Sequence, residues 1–81
     1  DAGATDGSKT SLNFYNSAVK AHLSGNLAKA ISDYKGALAV NPELAEAHSN
    51  LGLIYNQQHQ YPQAVTEFRK ALAINPKDAI T

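Results

Sequence analysis

The dipeptide Asn41-Pro42 returns as Asn75-Pro76, an offset of 34 residues, and that recurrence restricts the fold more than any other feature of the chain. A fixed internal period of this size marks tandem supersecondary units that bury their faces against neighbours. At the same offset Ala30 meets Ala64, Ala37 meets Ala71, Leu38 meets Leu72, Ala39 meets Ala73 and Asn16 meets Asn50. With the Asn-Pro positions, residues 11–44 and 45–78 share 7 identities. Further pairs keep size and polarity: Ala18 with Gly52, Ile31 with Val65, Asp33 with Glu67, Tyr34 with Phe68, Lys35 with Arg69 and Val40 with Ile74.

Each repeat reads as two helices. The first stretch runs from Ser11 to Ser24 and stops at Gly25-Asn26, a strong helix-ending signal. The second runs from Ala28 to Val40 and carries Ala30, Ile31, Tyr34, Ala37 and Leu38 on one helical face. Asn41-Pro42 closes it, because a residue before proline is pushed out of the helical region. The third stretch spans Leu44 to Gln58. The fourth opens at Pro62, whose missing N–H is harmless at a first helical position, and reaches Ile74 with Ala64, Val65, Phe68, Ala71 and Leu72 repeating the stripe. The expectation is an all-α chain of four antiparallel helices, with a fifth just begun. Its parts are a flexible lead-in or linker at 1–10, a first repeat at 11–44, a second at 45–78 and a truncated helix start at 79–81. Ser8 or Thr10 would cap the first helix.

Composition removes several classes of function. At 81 residues the chain is one small domain at most, and its 43% hydrophobic residues suffice for a core. Seven basic residues balance seven acidic ones, whereas a nucleic-acid binder carries a basic face. Apart from Arg69-Lys70 the cations are scattered, so neither nucleic acid nor an anionic membrane is an expected partner. No apolar run approaches the ~20 residues of a membrane span, and no signal peptide is visible. Cysteine is absent, which removes disulfides and thiolate metal sites without choosing between a cytoplasmic and a periplasmic setting. A first residue of Asp1 rather than Met suggests a processed or excised piece.

Catalytic chemistry has no foothold in these residues. His22, His48 and His59 are the only imidazoles, and no two are three or four positions apart, so no metal site is expected. Nothing resembles a nucleophile turn with an oriented base, and there is no glycine-rich phosphate loop. No cofactor is expected, and the chain reads as a non-enzyme.

The period and its residues resemble the tetratricopeptide repeat family, a helix–turn–helix repeated every 34 residues. The second repeat carries Leu51-Gly52, Tyr55, Ala64, Phe68, Ala71 and Pro76 at the family's spacing. The first carries Phe14, Ala18, Ala30, Tyr34, Ala37 and Pro42. The resemblance implies a solenoid of helical hairpins in which Ala18, Gly52, Ala30 and Ala64 permit close helix approach and Tyr34 and Phe68 fill space between hairpins. His48 falls at a packing position. Ser17 and Ala21 stand where the family prefers Leu and Tyr, so the first hairpin looks lean. His59 replaces the turn glycine, a position of some strain, although His tolerates left-handed backbone better than most residues. Gly36 interrupts a helix at about 1 kcal/mol relative to Ala, and the sequence offers no reason for it.

The resemblance also implies a role: holding another protein or a peptide on the concave face lined by the first helix of each repeat. The residues expected to bind are Leu12, Tyr15, Asn16, Val19 and Leu23 on the first helix, and Asn50, Leu53, Asn56 and Gln57 on the third. His22, Glu46 and Ser49 are expected on the same faces. Asn16 and Asn50 occupy equivalent positions, and an amide both donates to and accepts from a peptide backbone. They resemble the asparagine ladder that some family members use, although a helix-surface Asn is also commonly just solvated. Leu12, Tyr15, Val19 and Leu23 share a helical face, which is a binding surface or is buried against the N-terminal segment or a second copy. Chaperone-binding members clamp an acidic C-terminus with Lys and Asn. Tyr15 and Val19 stand at those positions and only Asn50 matches, so no carboxylate clamp is expected. The alternative function is self-association through the last hairpin, where Tyr61, Phe68, Leu72 and Ile74 would pair or exchange between copies as a homo-oligomer, because two repeats are fewer than usual for a continuous core.

Overall fold

The computed structural model describes residues 7–76, which form four helices and no strand among the described residues. They are α1 (Gly7–Leu23), α2 (Leu27–Val40), α3 (Ala45–Gln57) and α4 (Tyr61–Ile74). α1 packs on α2 and α3 packs on α4. The chain divides after Pro42 into two compact units, each a helical hairpin. The expected all-α architecture is present.

Helix ends follow their local chemistry. α1 starts at Gly7, earlier than its apolar periodicity indicates, so Ser8 and Thr10 fall within the helix rather than before it. Polar residues without a competing breaker can extend a helix past its apolar stripe. The rest of the lead-in, residues 1–6, and the expected helix start at 79–81 lie outside the described residues. α1 ends in a Schellman turn: the N–H of Asn26 donates to Ala21 O at 2.8 Å and that of Gly25 donates to His22 O at 3.1 Å. Gly25 takes the left-handed position at φ 86°. α3 ends the same way, with Gln60 N–H to Tyr55 O at 2.8 Å and His59 N–H to Asn56 O at 3.0 Å. His59 sits at φ 63°, so the expected left-handed histidine is real. Its ring packs edge-on to Tyr61, with centroids 5.8 Å apart. The Asn26 side chain caps α2 by accepting from Lys29 N–H. α4 begins at Tyr61, which leaves Pro62 in the first turn, where its missing donor has no intrahelical acceptor to lose.

Each hairpin is cored by small residues. In the first, Ala18, Ala21, Ala30, Tyr34 and Ala37 are buried, and Tyr34 is the largest fully buried side chain among the described residues. The edge of the Tyr15 ring meets Tyr34 at 5.7 Å and 64°. Ser11 replaces the alanine found at Ala45 in the second repeat, and its hydroxyl satisfies itself across the hairpin by donating to Ala37 O at 3.1 Å. In the second hairpin Ala45, Ala47, Leu51, Ile54, Ala64 and Ala71 are buried.

The two hairpins solve the same packing problem in opposite directions. A Cβ placed on Gly36 would lie 2.9 Å from Cδ1 of Phe14, so the α1 ring rests directly on the α2 backbone. That contact accounts for the glycine inside α2. In the second hairpin the gap is on the first helix. A Cβ on Gly52 would lie 2.6 Å from Cε1 of Phe68, which projects from α4. Phe14 and Phe68 thus each rest on a glycine of the facing helix in their own hairpin.

Candidate functional site

The exposed faces of α1 and α3 are built by the residues left over once each hairpin has closed. On α1, Leu12 is 50% and Leu23 84% exposed. Asn16 is exposed, while Tyr15, Val19 and His22 are half-buried. On α3, Leu53 is 48% exposed; Glu46, Asn56 and Gln57 are exposed, and Ser49 and Asn50 are half-buried. Asn16 and Asn50 keep equivalent places on their helices. Tyr15 and Val19 of the α1 set are partly withdrawn from the surface, and the Tyr15 ring packs against Tyr34.

Polar ties join the helices of each hairpin, and the two ties differ. In the first, the Ser17 hydroxyl donates to Asp33 Oδ2 at 2.7 Å. Lys29 Nζ reaches the same oxygen at 2.9 Å and the Ser17 oxygen at 3.5 Å. Ser17, which looked like a packing deficit, is thus a tether between α1 and α2. In the second hairpin Leu51 occupies the Ser17 position, and the tie is His48 Nδ1 to Glu67 Oε1 at 2.8 Å, with Lys70 more loosely on Oε2 at 3.8 Å. The His48 and Glu67 side chains are 10 and 15% exposed, so removing one partner leaves the other with little water to replace it.

Asp33 carries a measurable consequence. The Ser17 hydroxyl, and after it a hydrogen bond from Lys29, hold its carboxyl below the ordinary 3.8 against the opposing effect of desolvation, with the charge of Lys29 adding least. A carboxylate whose folded-state value is depressed stabilises the fold above its unfolded value and loses that contribution as pH falls through the folded value. Asp33→Asn should therefore flatten the acid limb of stability below about pH 4. The effect stays under about 1 kcal/mol, because Lys29 is largely exposed. Urea melts at pH 5 and pH 2.5 on both chains check this; an unchanged acid limb would show the tie to be energetically silent.

The α4 residues expected to self-associate do not act as one set. Tyr61, Phe68 and Leu72 are exposed at 52, 37 and 43%, whereas Ile74 is half-buried. Val65, absent from the expected set, is 47% exposed. The signal for it was present in the sequence, since it stands four residues after Tyr61 and three before Phe68. No helix among the described residues is long and apolar enough to cross a membrane.

Tandem helical hairpins closed by alanine and glycine, with Leu12, Leu23 and Leu53 exposed on their first helices, are the architecture of a helical-repeat protein. The tetratricopeptide repeat model matches residues 45–78, and a second model of the TPR repeat matches residues 22–59. The chain belongs to the tetratricopeptide repeat family, whose members bind other proteins. It is 37% identical over 54 residues to tetratricopeptide repeat protein 6 of Homo sapiens, a match covering 67% of this chain and 10% of that protein. It is 31% identical over 72 residues to the photosystem I assembly protein Ycf3 of Acaryochloris marina, covering 85% of this chain and 43% of that protein. The chain thus spans less than half the length of either curated relative.

Proposed function

We propose that the chain docks an extended peptide segment or a partner helix on the exposed faces of α1 and α3, the first helix of each repeat. The observation that carries this reading is the exposure of Leu12, Leu23 and Leu53 on the same faces as Asn16 and Asn50. Large apolar side chains held open beside amides suit a partner that buries apolar side chains while its backbone exchanges hydrogen bonds with the amides. Among the described side chains Lys20 is the one Lys or Arg on α1, and α3 carries none. An uncharged segment fits them better than an acidic one. A relative named for assembly is in keeping with docking. By this reading the module recognises a partner and performs no chemistry itself.

The test is binding by the Asn16→Ala/Asn50→Ala double variant. Peptides selected on the wild-type chain from a random display library should bind it about tenfold more weakly, a loss of ~1.4 kcal/mol. Its melting curve should stay close to that of the parent. Undiminished affinity would remove the amides from the docking role.

A further inference from the structure

The two hairpins close with different residues at equivalent positions of the 34-residue period. In the first, Phe14 of α1 rests on Gly36 of α2. One repeat later those positions are His48 and Lys70, and His48 turns instead to Glu67, at 2.8 Å. Ser17 donates to Asp33 at 2.7 Å, where the second hairpin has Leu51 and Glu67. Gly52 receives the Phe68 ring, where the first hairpin has Ala18 and Tyr34. The Asp33 and Glu67 side chains are only 14 and 15% exposed, so each carboxylate depends on the partner that its own hairpin supplies.

We propose that these facing residues form a pairing code, by which α1 accepts α2 and rejects α4, while α3 accepts α4 and rejects α2. With α4 in place of α2, Phe14 would face Lys70, whose Cβ would fall where a Cβ lies 2.9 Å from the ring. Phe68 would face the Cβ of Ala18, where one on Gly52 lies 2.6 Å from the ring. Glu67 would keep a hydroxyl, that of Ser17, but exchange the His48 ring for that of Phe14. With α2 in place of α4, Asp33 would face Leu51 and lose the Ser17 hydroxyl. Its carboxylate, one methylene shorter than that of Glu67, would fall short of His48. The space that the Phe14 ring fills above Gly36 would be left to a smaller imidazole. The apolar stripes cannot make this distinction, because Ala30, Ala37 and Leu38 recur unchanged as Ala64, Ala71 and Leu72. Choosing a partner requires a penalty on the wrong one, and exchange of like elements within a chain or between copies is a characteristic failure of repeat proteins. The code lies on the inner faces of the hairpins and leaves the docking residues Leu12, Asn16, Leu23, Asn50 and Leu53 untouched.

The experiment is a cycle of full-length chains followed by thermal melting in circular dichroism. One chain exchanges the code of the first helices: Phe14→His, Ser17→Leu, Ala18→Gly, His48→Phe, Leu51→Ser and Gly52→Ala. Another exchanges that of the second helices: Asp33→Glu, Tyr34→Phe, Gly36→Lys, Glu67→Asp, Phe68→Tyr and Lys70→Gly. The last carries all of these changes. Every exchange conserves composition, so summed helix propensity is unchanged. Each partial exchange should melt about 15 °C or more below the parent, and the complete exchange should lose less than half as much as either. Should the partial exchanges unfold altogether, a folded complete exchange still carries the result. Partial exchanges that melt with the parent overturn the code, since the faces would then be interchangeable. A complete exchange at least as unstable as the partial ones overturns it too, because the losses would then belong to single sites and not to matched pairs. Peptide binding is read on residues that no exchange alters, so the docking proposal stands or falls separately.

Discussion

Replacing Tyr34 with alanine is expected to cost about 3–5 kcal/mol, the range for removing a buried aromatic ring. Tyr34 is 1% exposed, and the other buried apolar residues of its hairpin are Ala18, Ala21, Ala30 and Ala37. Alanines fixed on helices have no side chain to swing into the vacated space, so the cavity should stay open and the cost should lie toward the upper end. The Tyr15 ring, which meets Tyr34 edge-on at 5.7 Å, also loses its partner, a further ~0.5–1.5 kcal/mol. A chain this small has little stability in reserve, so the first hairpin should be unfolded at 25 °C. Far-ultraviolet circular dichroism should lose close to half its helical signal if the second hairpin survives, or all of it if the hairpins unfold together. Tyr34→Phe serves as the control, because it keeps the ring and should lose no more than about 1–1.5 kcal/mol. A Tyr34→Ala chain that melts within a few degrees of the parent would contradict the packing described for this hairpin.

Gly52→Ala is the second large effect, and its sign depends on one contact. Alanine in a helix interior is favoured over glycine by about 1 kcal/mol. Overpacking a filled site costs roughly 1–3 kcal/mol. The new Cβ would sit 2.6 Å from Phe68 Cε1 and 2.8 Å from its Cδ1 and Cζ, well inside contact distance. The clash should win, for a net loss of up to about 2 kcal/mol. The decisive measurement is a double-mutant cycle. In a Phe68→Leu background the ring is gone, the propensity gain should emerge, and Gly52→Ala should turn neutral or stabilising. A coupling near zero in urea melts of the four chains would mean that the ring does not rest on Gly52. Gly36→Ala should follow the same rule against Phe14 with a smaller loss, since its nearest approach is 2.9 Å.

Much of the fold was legible because its punctuation is local. Gly25, Asn41-Pro42, Pro62 and Asn75-Pro76 each act on the backbone of their immediate neighbours, and they place the helix ends within a few residues. The left-handed His59 was equally legible, since it stands where the first repeat has Gly25 and the turn geometry leaves one conformation for that position. The start of α1 was less so. Nothing in 7–10 is apolar enough to show periodicity, yet the segment extends a helix already nucleated by the residues after it.

The candidate binding residues were legible in part. The equivalence of Asn16 and Asn50, and the shared face of Leu12, Val19 and Leu23, follow from period alone. The division of Tyr15 between surface and core does not, because it depends on where Tyr34 of the next helix points. The exposed face of α4 was half seen: the apolar stripe was evident, but Val65 belongs to it and Ile74 does not, which only side-chain exposure distinguishes.

The sequence by itself determined the all-α class, the 34-residue period, the hairpin ends and the membership in a family of interaction modules. All of these rest on residues that act within a turn or two of one another. Only the tertiary structure decided that Phe14 lies on Gly36 while Phe68 lies on Gly52, that Ser17 tethers Asp33, and that His48 takes Glu67. Each of those contacts joins two helices. The helical period states which face a residue occupies, but the rotation and separation of the packed helices decide which side chain on the facing helix it meets.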